Sequence, residues 1–325
     1  MVSKLLGFAA QVAPWAVVSG LAYAAAFIKP SVEPLPLPQP LSEPRDLFYD
    51  VAGSGGQSFW FAANNGVVLQ RKGETLEWTR HQMDQLVNLQ GIATSPDGTV
   101  IAVGNDGWLF RNDGSGWEGE RLPVSDIAGK LIEIAWIDNA FWAIGEMGAV
   151  FRIEANGETW SEFSIDGDVA LNDIARSSDG DYWITAEFGT LFHSKDGGQT
   201  WSGEELGYES LRSIAFDGNT GVIVGNGGVS HISKDGGKSW QRRGTESTEH
   251  LYDVAHDGNR WLAIGNSGVL LSSSDGKEWA HVEPDGFSSG FHARLMPSPE
   301  GVLVAGSAIG KLNDLRWTSW PKEVE

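Results

Sequence analysis

Two aspartates stand at the same place in a repeated motif, where carboxylates could serve in acid–base catalysis. Asp196 lies in SKDGGQTW (194–201) and Asp235 lies in SKDGGKSW (233–240). An aspartate beside two glycines can instead accept hydrogen bonds from the amides of a turn, since glycine reaches positive φ without strain. We therefore interpret both aspartates as structural, with the tryptophan that ends each motif packing between sheets.

A second set of acids recurs at a longer spacing, just before an Ile-Ala pair or its equivalent. The residues at this position are Asp50, Gly91, Glu133, Asp173, Ser213, Asp253 and Arg294. If these positions meet at one axis, four carboxylates and one arginine converge there. Two interpretations stay open. Each carboxylate caps a neighbouring turn, because buried charges need partners, or the set forms an acidic funnel for a cation or a basic peptide.

Residue types for glycoside hydrolysis or metal binding are not suitably arranged. A sialidase-type enzyme needs an arginine cluster, a tyrosine nucleophile with a glutamate, and an acidic proton donor. The segment FRIEA (151–155) lacks the proline of the motif that supplies the first arginine, and Tyr49 and Tyr252 occupy equivalent repeat positions, as structural residues do. The seven histidines form no H-x-x-x-H pair, and cysteine is absent. The sequence predicts no enzyme activity, no cofactor and no metal site.

These residues belong to a repeat that runs through most of the chain. A period near 40 residues is typical of a propeller blade built from four short strands. The sequence therefore predicts an all-β fold, a seven-bladed β-propeller over 46–320, in which blade seven packs face to face on blade one without exchanging a strand. The tryptophans that mark the repeat, at intervals of 38 to 43 residues, are Trp78, Trp117, Trp160, Trp201, Trp240, Trp279 and Trp317.

The turns between the second and third strands of the blades are predicted to share one rim. Loops on a rigid scaffold often carry binding residues. Most of these turns are built from small Asn, Ser or Gly residues, and four side chains depart from that pattern. The predicted contact residues are these four, together with one acid of the same rim: Glu146, Met147, Glu187, Phe188 and Asp106.

The charge balance restricts the class of partner. The formal net charge is −20 at pH 7 and the pI is near 4.6. An acidic surface repels phosphate backbones and anionic lipid leaflets, so nucleic acid is not an expected partner. A basic protein patch or a cation suits the charge better.

The sequence predicts a membrane segment at the start of the chain. Residues 5–28 carry no charge and lie between Lys4 and Lys29. As a helix they would extend about 36 Å, enough for a hydrocarbon core of about 30 Å. We expect an N-terminal transmembrane anchor at 1–29, with a cleaved signal peptide as the alternative. A proline-rich linker follows at 30–45, and a short tail at 321–325 ends the chain.

The propeller resembles the photosystem II assembly-factor-like family, whose blades carry Asp-box repeats. The shared features are the Ile-Ala strand, the turns VGNDG (103–107) and VGNGG (224–228), and the two full Asp-boxes. In photosynthetic members the resemblance implies a lumenal chaperone that binds an incoming membrane subunit. For this chain it implies a scaffold beside membrane proteins.

The sequence thus predicts a non-catalytic, membrane-anchored, extracytoplasmic propeller that binds protein. It would act as an assembly factor or accessory subunit of an integral membrane protein or membrane complex, with a transporter as one candidate. The expected location is the bacterial inner membrane, crossed once, with the propeller in the periplasm. The alternative is a carbohydrate-active or carbohydrate-binding, sialidase-like Asp-box propeller.

Overall fold

The computed structural model describes residues 2–27, 40–54, 58–73 and 77–320. It divides into two compact units, Met1–Pro40 and Leu41–Glu325. The first unit contains the helix α1 (Val2–Phe27). No helix in the described part of the chain is long and apolar enough to cross a membrane, so the expected transmembrane helix is not confirmed. Most of the linker and the whole predicted tail lie outside the described residues.

The second unit consists of strands grouped in fours along the chain. Blade 1 contains β1 (Phe48–Ser54), β2 (Ser58–Ala63), β3 (Val67–Lys72) and β4 (Trp78–Gln82). Blade 2 contains β5 (Leu89–Thr94), β6 (Val100–Gly104), β7 (Trp108–Asn112) and β8 (Trp117–Arg121). Blade 3 contains β9 (Leu131–Ile137), β10 (Ala140–Gly145), β11 (Val150–Glu154) and β12 (Trp160–Glu162). Blade 4 contains β13 (Leu171–Arg176), β14 (Tyr182–Ala186), β15 (Thr190–Ser194) and β16 (Ser202–Glu205).

The last three blades repeat this order. Blade 5 contains β17 (Leu211–Asp217), β18 (Thr220–Gly225), β19 (Val229–Ser233) and β20 (Gln241–Gly244). Blade 6 contains β21 (Leu251–His256), β22 (Trp261–Gly265), β23 (Leu270–Ser273) and β24 (Ala280–His281). Blade 7 contains β25 (His292–Ser298), β26 (Gly301–Gly306), β27 (Ile309–Asn313) and β28 (Arg316–Trp320).

Each blade is an antiparallel sheet whose strands follow one another in chain order, and seven such sheets form within the described residues. This confirms the predicted seven-bladed β-propeller. The inner strand β1 packs against β25 and β26 of the last blade. Phe48 and Phe61 of blade 1 share one apolar cluster with Leu303 and Ala305 of blade 7. The ring therefore closes by face packing, as predicted, and no strand passes between blades 1 and 7 in the residues described.

Burial is greatest in the second strand of each blade and least in the outer strand. The second strand of a blade is almost entirely buried, as in β10, whereas an outer strand such as β16 is fully exposed. A strand buried on both faces needs apolar side chains on both, which explains runs such as AFWAIG in β10. Ile101 of blade 2 and Phe141 and Phe151 of blade 3 meet in one cluster. Each such side chain contributes roughly 1.5–3 kcal/mol when fully buried.

Every inner strand carries a β-bulge at the same place. In β1 the pairing passes from Phe48 to Asp50, so that Tyr49 has no partner across the strand pair. A bulge re-aims the extra side chain, and bulges are frequent beside functional sites. The shared position places these extra residues in one ring around the axis. The bulged residues are Tyr49, Gln90, Ile132, Asn172, Arg212, Tyr252 and Ala293.

The Asp-box of blade 4 is a hydrogen-bonded turn. The Asp196 carboxylate accepts bonds from the Thr200 backbone N–H at 2.9 Å and from its hydroxyl at 2.6 Å. Ser194 Oγ accepts the N–H of Gly198 at 2.9 Å. Hydrogen bonds from Thr200 lower the pKa of Asp196 to about 2, so this carboxylate is ionised and occupied within its own turn. The geometry agrees with the structural interpretation of this aspartate.

The two glycines of that Asp-box face different surroundings. Gly198 has φ of 83°, and a methyl group on it would lie 2.5 Å from the ring of Trp142 in the preceding blade. Gly197 also has positive φ, 72°, but faces open space. The Asp-box therefore fixes the conformation of its own turn and also packs blade 4 closely against blade 3.

We expect Gly198→Ala to destabilise the propeller more than Gly197→Ala. Both substitutions place a side chain in the left-handed region, at a cost of roughly 1–2 kcal/mol. Only Gly198→Ala also overpacks the contact with Trp142, which adds about 1–3 kcal/mol. Chemical denaturation of both variants measures the difference. Equal losses would show that the Asp-box contributes nothing to the contact between the blades.

Candidate functional site

The acids predicted to converge do meet, around a single arginine. Arg294 of β25 lies 2.9 Å from Asp50 Oδ1, 3.4 Å from Asp253 Oδ1 and 3.8 Å from Asp173 Oδ1, and it also contacts Glu133. The four acids come from blades 1, 3, 4 and 6, and all are buried. We call these five residues the axial ring.

Three of the acids join neighbouring blades. Asp50 of β1 accepts the N–H of Ile92 in the next blade at 2.7 Å. Asp173 accepts the N–H of Ile214 at 2.9 Å, and Asp253 accepts the N–H of Leu295 at 2.6 Å. These donors lie in the inner strands of the following blades. The acids therefore hold strands together across blades, whereas one of the two sequence interpretations had them capping turns.

Ser213, which occupies the equivalent position in blade 5, extends this pattern. Its hydroxyl donates to Asp253 Oδ1 of blade 6 at 2.7 Å. Arg294 then links blade 7 to blade 1 through Asp50. Polar contacts near the axis thus join several pairs of successive blades. They include blades 7 and 1, where the propeller closes.

The axial ring carries less negative charge than its composition suggests. Burial raises the pKa of Asp173 to about 7 and raises that of Asp253 well above its ordinary value of 3.8. Burial also raises the pKa of Asp50, against the opposing effect of the Arg294 guanidinium. Desolvation disfavours a carboxylate even when hydrogen bonds oppose it. Asp173 is therefore partly protonated near neutral pH, which weakens the interpretation as an acidic funnel.

A cavity of about 390 Å³ opens beside the axial ring. A smaller cavity of about 240 Å³ also borders the ring, and Glu133 and Arg294 line both cavities. The larger cavity has a lining made of the bulged residues and three neighbours. Its lining residues are Tyr49, Gln90, Ile132, Glu133, Asn172, Arg212, Tyr252, Phe291, Ala293 and Arg294.

This larger cavity was not predicted from the sequence. The sequence did contain one signal for it. The residue directly before each position of the axial ring varies widely in chemistry from blade to blade, whereas the rest of the inner strand does not. Two arginines, two tyrosines and a glutamate meet there, which are residue types that the carbohydrate alternative requires. Arg294 is occupied by four carboxylates, however, so the described residues leave Arg212 as the one cavity guanidinium without an acidic partner.

The predicted rim residues lie on the face where this cavity opens, and turn geometry explains the two glutamates. Glu146 accepts the N–H of Lys130 at 3.0 Å and Glu187 accepts that of Ala170 at 3.4 Å. Asn64 of blade 1 performs the same task, accepting the N–H of Leu47 at 2.8 Å. The departure of Glu146 and Glu187 from the repeat thus has a local structural cause.

The other rim residues share a strained backbone conformation. Met147 and Phe188 have φ of 57° and Asp106 has φ of 58°, in the left-handed region. A bulky residue is rarely found there. Met147 is half-buried, but the Phe188 side chain is 68% exposed.

Further exposed apolar side chains lie on the same face and were missed by the sequence analysis. They sit in loops that lead from the outer strand of one blade to the inner strand of the next, and these loops bond to the middle turns. Nothing in the local pattern distinguished them from ordinary loop residues. With their exposed fractions they are Leu86 at 72%, Ile127 at 91% and Tyr208 at 92%. We call these three residues and Phe188 the apolar rim.

Among the described residues, no group of three or more His, Asp or Glu side chains is placed to hold a metal ion. The axial ring does not qualify because its oxygens already accept backbone, hydroxyl and guanidinium hydrogens.

Comparisons with known proteins support the resemblance that the repeats indicated. Residues 153–249 match the family model described as photosynthesis system II assembly factor YCF48. The photosystem II assembly lipoprotein Ycf48 of Synechococcus sp. (strain CC9902) is 31% identical over 93 residues, which is 27% of this chain and 27% of that protein. The match thus spans about a quarter of that relative. The resemblance to the photosystem II assembly-factor-like propellers is confirmed.

Solved structures share the fold. YCF48 bound to a D1 peptide has a TM-score of 0.65 and 18% identity over 80% of this chain and 89% of that chain. YCF48 from Cyanidioschyzon merolae has a TM-score of 0.64 and 16% identity over 83% of this chain and 94% of that chain. Virginiamycin B lyase from Staphylococcus aureus has a TM-score of 0.72 and 13% identity over 82% of this chain and 93% of that chain. At such identities these likenesses show the fold alone.

We expect the contribution of Asp173 to stability to fall as the pH rises from about 4 to 7. The folded chain holds a proton on Asp173 up to about pH 7, whereas the unfolded chain releases it near 3.8. The native state therefore binds more protons across this window, and its stability decreases with pH. The stability difference between the wild type and Asp173→Asn should shrink over this range, by at most on the order of 4 kcal/mol.

Asp196→Asn is the matched control for urea denaturation at several pH values. The pKa of Asp196 is about 2, so its contribution should be constant from pH 4 to 7. A constant or growing difference for Asp173→Asn would show that Asp173 holds no extra proton in the folded chain.

Proposed function

We propose that this propeller is a non-catalytic scaffold that binds a membrane protein and assists its assembly, or remains with it as an accessory subunit. The match to the assembly-factor family model over residues 153–249 supports the assembly role. One structural neighbour is YCF48 bound to a D1 peptide, so a propeller of this fold can hold a peptide. For this chain, peptide or protein binding is our proposal.

The observation that carries the proposal is the exposed ring of Phe188. Its left-handed backbone costs roughly 1–2 kcal/mol, and a side chain with 68% of its surface exposed gains little packing in return. The same turn is left-handed in other blades, at Asn65, Asp106, Met147 and Ser267, but among the described turns only this one carries a large exposed apolar side chain at that position. Exposed aromatic residues on a rigid face are typical anchors of protein interfaces. Phe188 and the rest of the apolar rim therefore form the proposed contact face.

The chemistry of the acids argues against catalysis. The carboxylates of the axial ring accept hydrogen bonds that join strands of different blades, and Asp196 is occupied within its turn. The lyases that share this fold do not change that inference, because fold and function are separable. The proposed client is an integral membrane protein, with a transporter as one candidate.

Membrane attachment is the second part of the proposal. Residues 5–28 are uncharged, and α1 covers Val2–Phe27. The Synechococcus relative is named a lipoprotein, but these 325 residues contain no cysteine to carry a thioether lipid. We propose that the N-terminal segment itself holds the propeller at the periplasmic face of a bacterial inner membrane.

Replacing Phe188 with Ser should release the client without unfolding the propeller. An aromatic anchor at an interface contributes about 2 kcal/mol or more, so retention of the client should fall more than tenfold. Lys195→Ser, in the exposed Asp-box loop on the opposite face, is the matched control. Quantitative mass spectrometry after solubilisation in mild detergent measures retention. Equal retention of the same membrane protein by both variants would refute the proposed contact face.

The full chain should remain in the membrane pellet after alkaline extraction, since an apolar helix inserted in lipid is not released by charge or pH. A variant with Val17 and Leu21 replaced by Asp should be released, because each charge at the centre of a span costs about 3 kcal/mol. Release of the unmodified chain would disprove the membrane anchor.

A further inference from the structure

The larger axial cavity has the composition of a ligand site rather than that of a packing defect. Its volume of about 390 Å³ falls in the usual range for small-molecule pockets, roughly 300–1,000 Å³. Packing defects between blades would be lined by core residues. This cavity is lined instead by the bulged residues, whose side chains the inner strands turn out of the regular pairing pattern.

Arg212 gives the cavity its chemical character. Its Nε donates to Asn226 Oδ1 at 3.0 Å and its Nη1 donates to Asn172 Oδ1 at 3.3 Å. Both partners are neutral amides, and no carboxylate in the described part of the chain pairs with this guanidinium. Asn172 is itself fixed by donating to the Leu211 carbonyl at 2.7 Å. The two amides thus hold Arg212 in place and leave its charge uncompensated.

Apolar and aromatic side chains supply the rest of the wall. The rings of Tyr49 and Phe291 stack with their centroids 6.2 Å apart. Ile132, Ala293 and Tyr252 continue this surface around the axis. The hydroxyls of Tyr49 and Tyr252 make no hydrogen bond to any residue the structure describes, so both are available to a ligand.

The structure assigns this cavity as a binding site for a carboxylate carried on an apolar or aromatic group, with Arg212 receiving the carboxylate and the Tyr49–Phe291 pair contacting the apolar part. A guanidinium matches a carboxylate in two parallel hydrogen bonds. The carboxylate could belong to a free organic acid or to the end of a peptide, because both present the same chemistry.

The acids of the axial ring do not prevent such binding. Arg294 contacts all four, and burial raises the pKa of Asp173 and of Asp253, which makes both carboxyls less negative than ordinary aspartates. Acids elsewhere on this strongly acidic chain are screened beyond about 8 Å at physiological salt. The same aromatic walls could instead contact a cationic ligand. Such a ligand would lack a free anionic partner, because Glu133, the carboxylate that lines the cavity, already pairs with Arg294.

Isothermal titration calorimetry of the full-length chain in detergent tests the assignment. The probes are N-acetylphenylalanine, its amide, phenethylammonium, N-acetylneuraminate, and a ten-residue peptide ending in Phe with a free or amidated end. We expect both free apolar acids to bind more than tenfold better than their amides, since a hydrogen bond to a charged group contributes about 1.5–3 kcal/mol. The tighter of the two acids identifies the source of the carboxylate.

Variants locate the site. Arg212→Gln should weaken binding of the acid more than tenfold, and Arg212→Lys, which retains the charge, should weaken it less. Arg243→Gln is the control, because Arg243 is exposed on β20 and, among the described residues, its guanidinium hydrogen-bonds only to the neutral Gln241 side chain. Thermal unfolding of each variant checks its fold.

The assignment is overturned if no acid binds at millimolar concentration, or if acids and amides bind equally. It is also overturned if phenethylammonium or the polar sugar acid binds best, or if a folded Arg212→Gln variant binds like the wild type. None of these results depends on the proposed assembly role.

Discussion

The propeller depends on bringing buried carboxylates close to one another at its axis. Such a cluster is costly, because desolvation and mutual repulsion both oppose it. Arg294 makes it tolerable by contacting all four acids of the axial ring, and backbone N–H groups of the following blades satisfy several of the remaining oxygens. The same contacts join blades that are otherwise held by apolar packing. These contacts give the charge at the axis a structural role, and a role in partner binding stays a prediction.

The β-bulges separate this structural role from the role in binding. Within one inner strand, the residue after the bulge points into the axial ring, as Asp173 does, while the bulged residue before it, Asn172, lines the cavity. A regular strand would send two adjacent side chains to opposite faces. The bulge instead allows both side chains to face the axis, at different heights along it. Cavity residues can thus differ between blades while the contacts between blades are kept.

The face around the cavity combines turns of fixed geometry with exposed apolar side chains. Glu146 and Glu187 keep the hydrogen bond that Asn64 makes in blade 1, so their charge is compatible with an unaltered turn. Phe188 is different, because its ring is exposed on a strained backbone. The two glutamates therefore have a structural role in their turns, and their role as contact residues stays a prediction. A rigid propeller can hold such a ring in place at little entropic cost on binding.

The blade count, the strand order and the turn chemistry of the Asp-boxes follow from the amino-acid sequence alone, because each depends on residues within one repeat of about 40 positions. It also placed Asp50, Glu133, Asp173, Asp253 and Arg294 at equivalent positions. What these residues contact depends on the packing of the blades, since Asp50 and Arg294 are 244 residues apart and meet through closure of the propeller. The cavity around Arg212 and the apolar rim depend likewise on strand bulges and on loops from different blades. Local periodicity encodes each blade, whereas contacts between blades exist only after all seven have packed around a common axis.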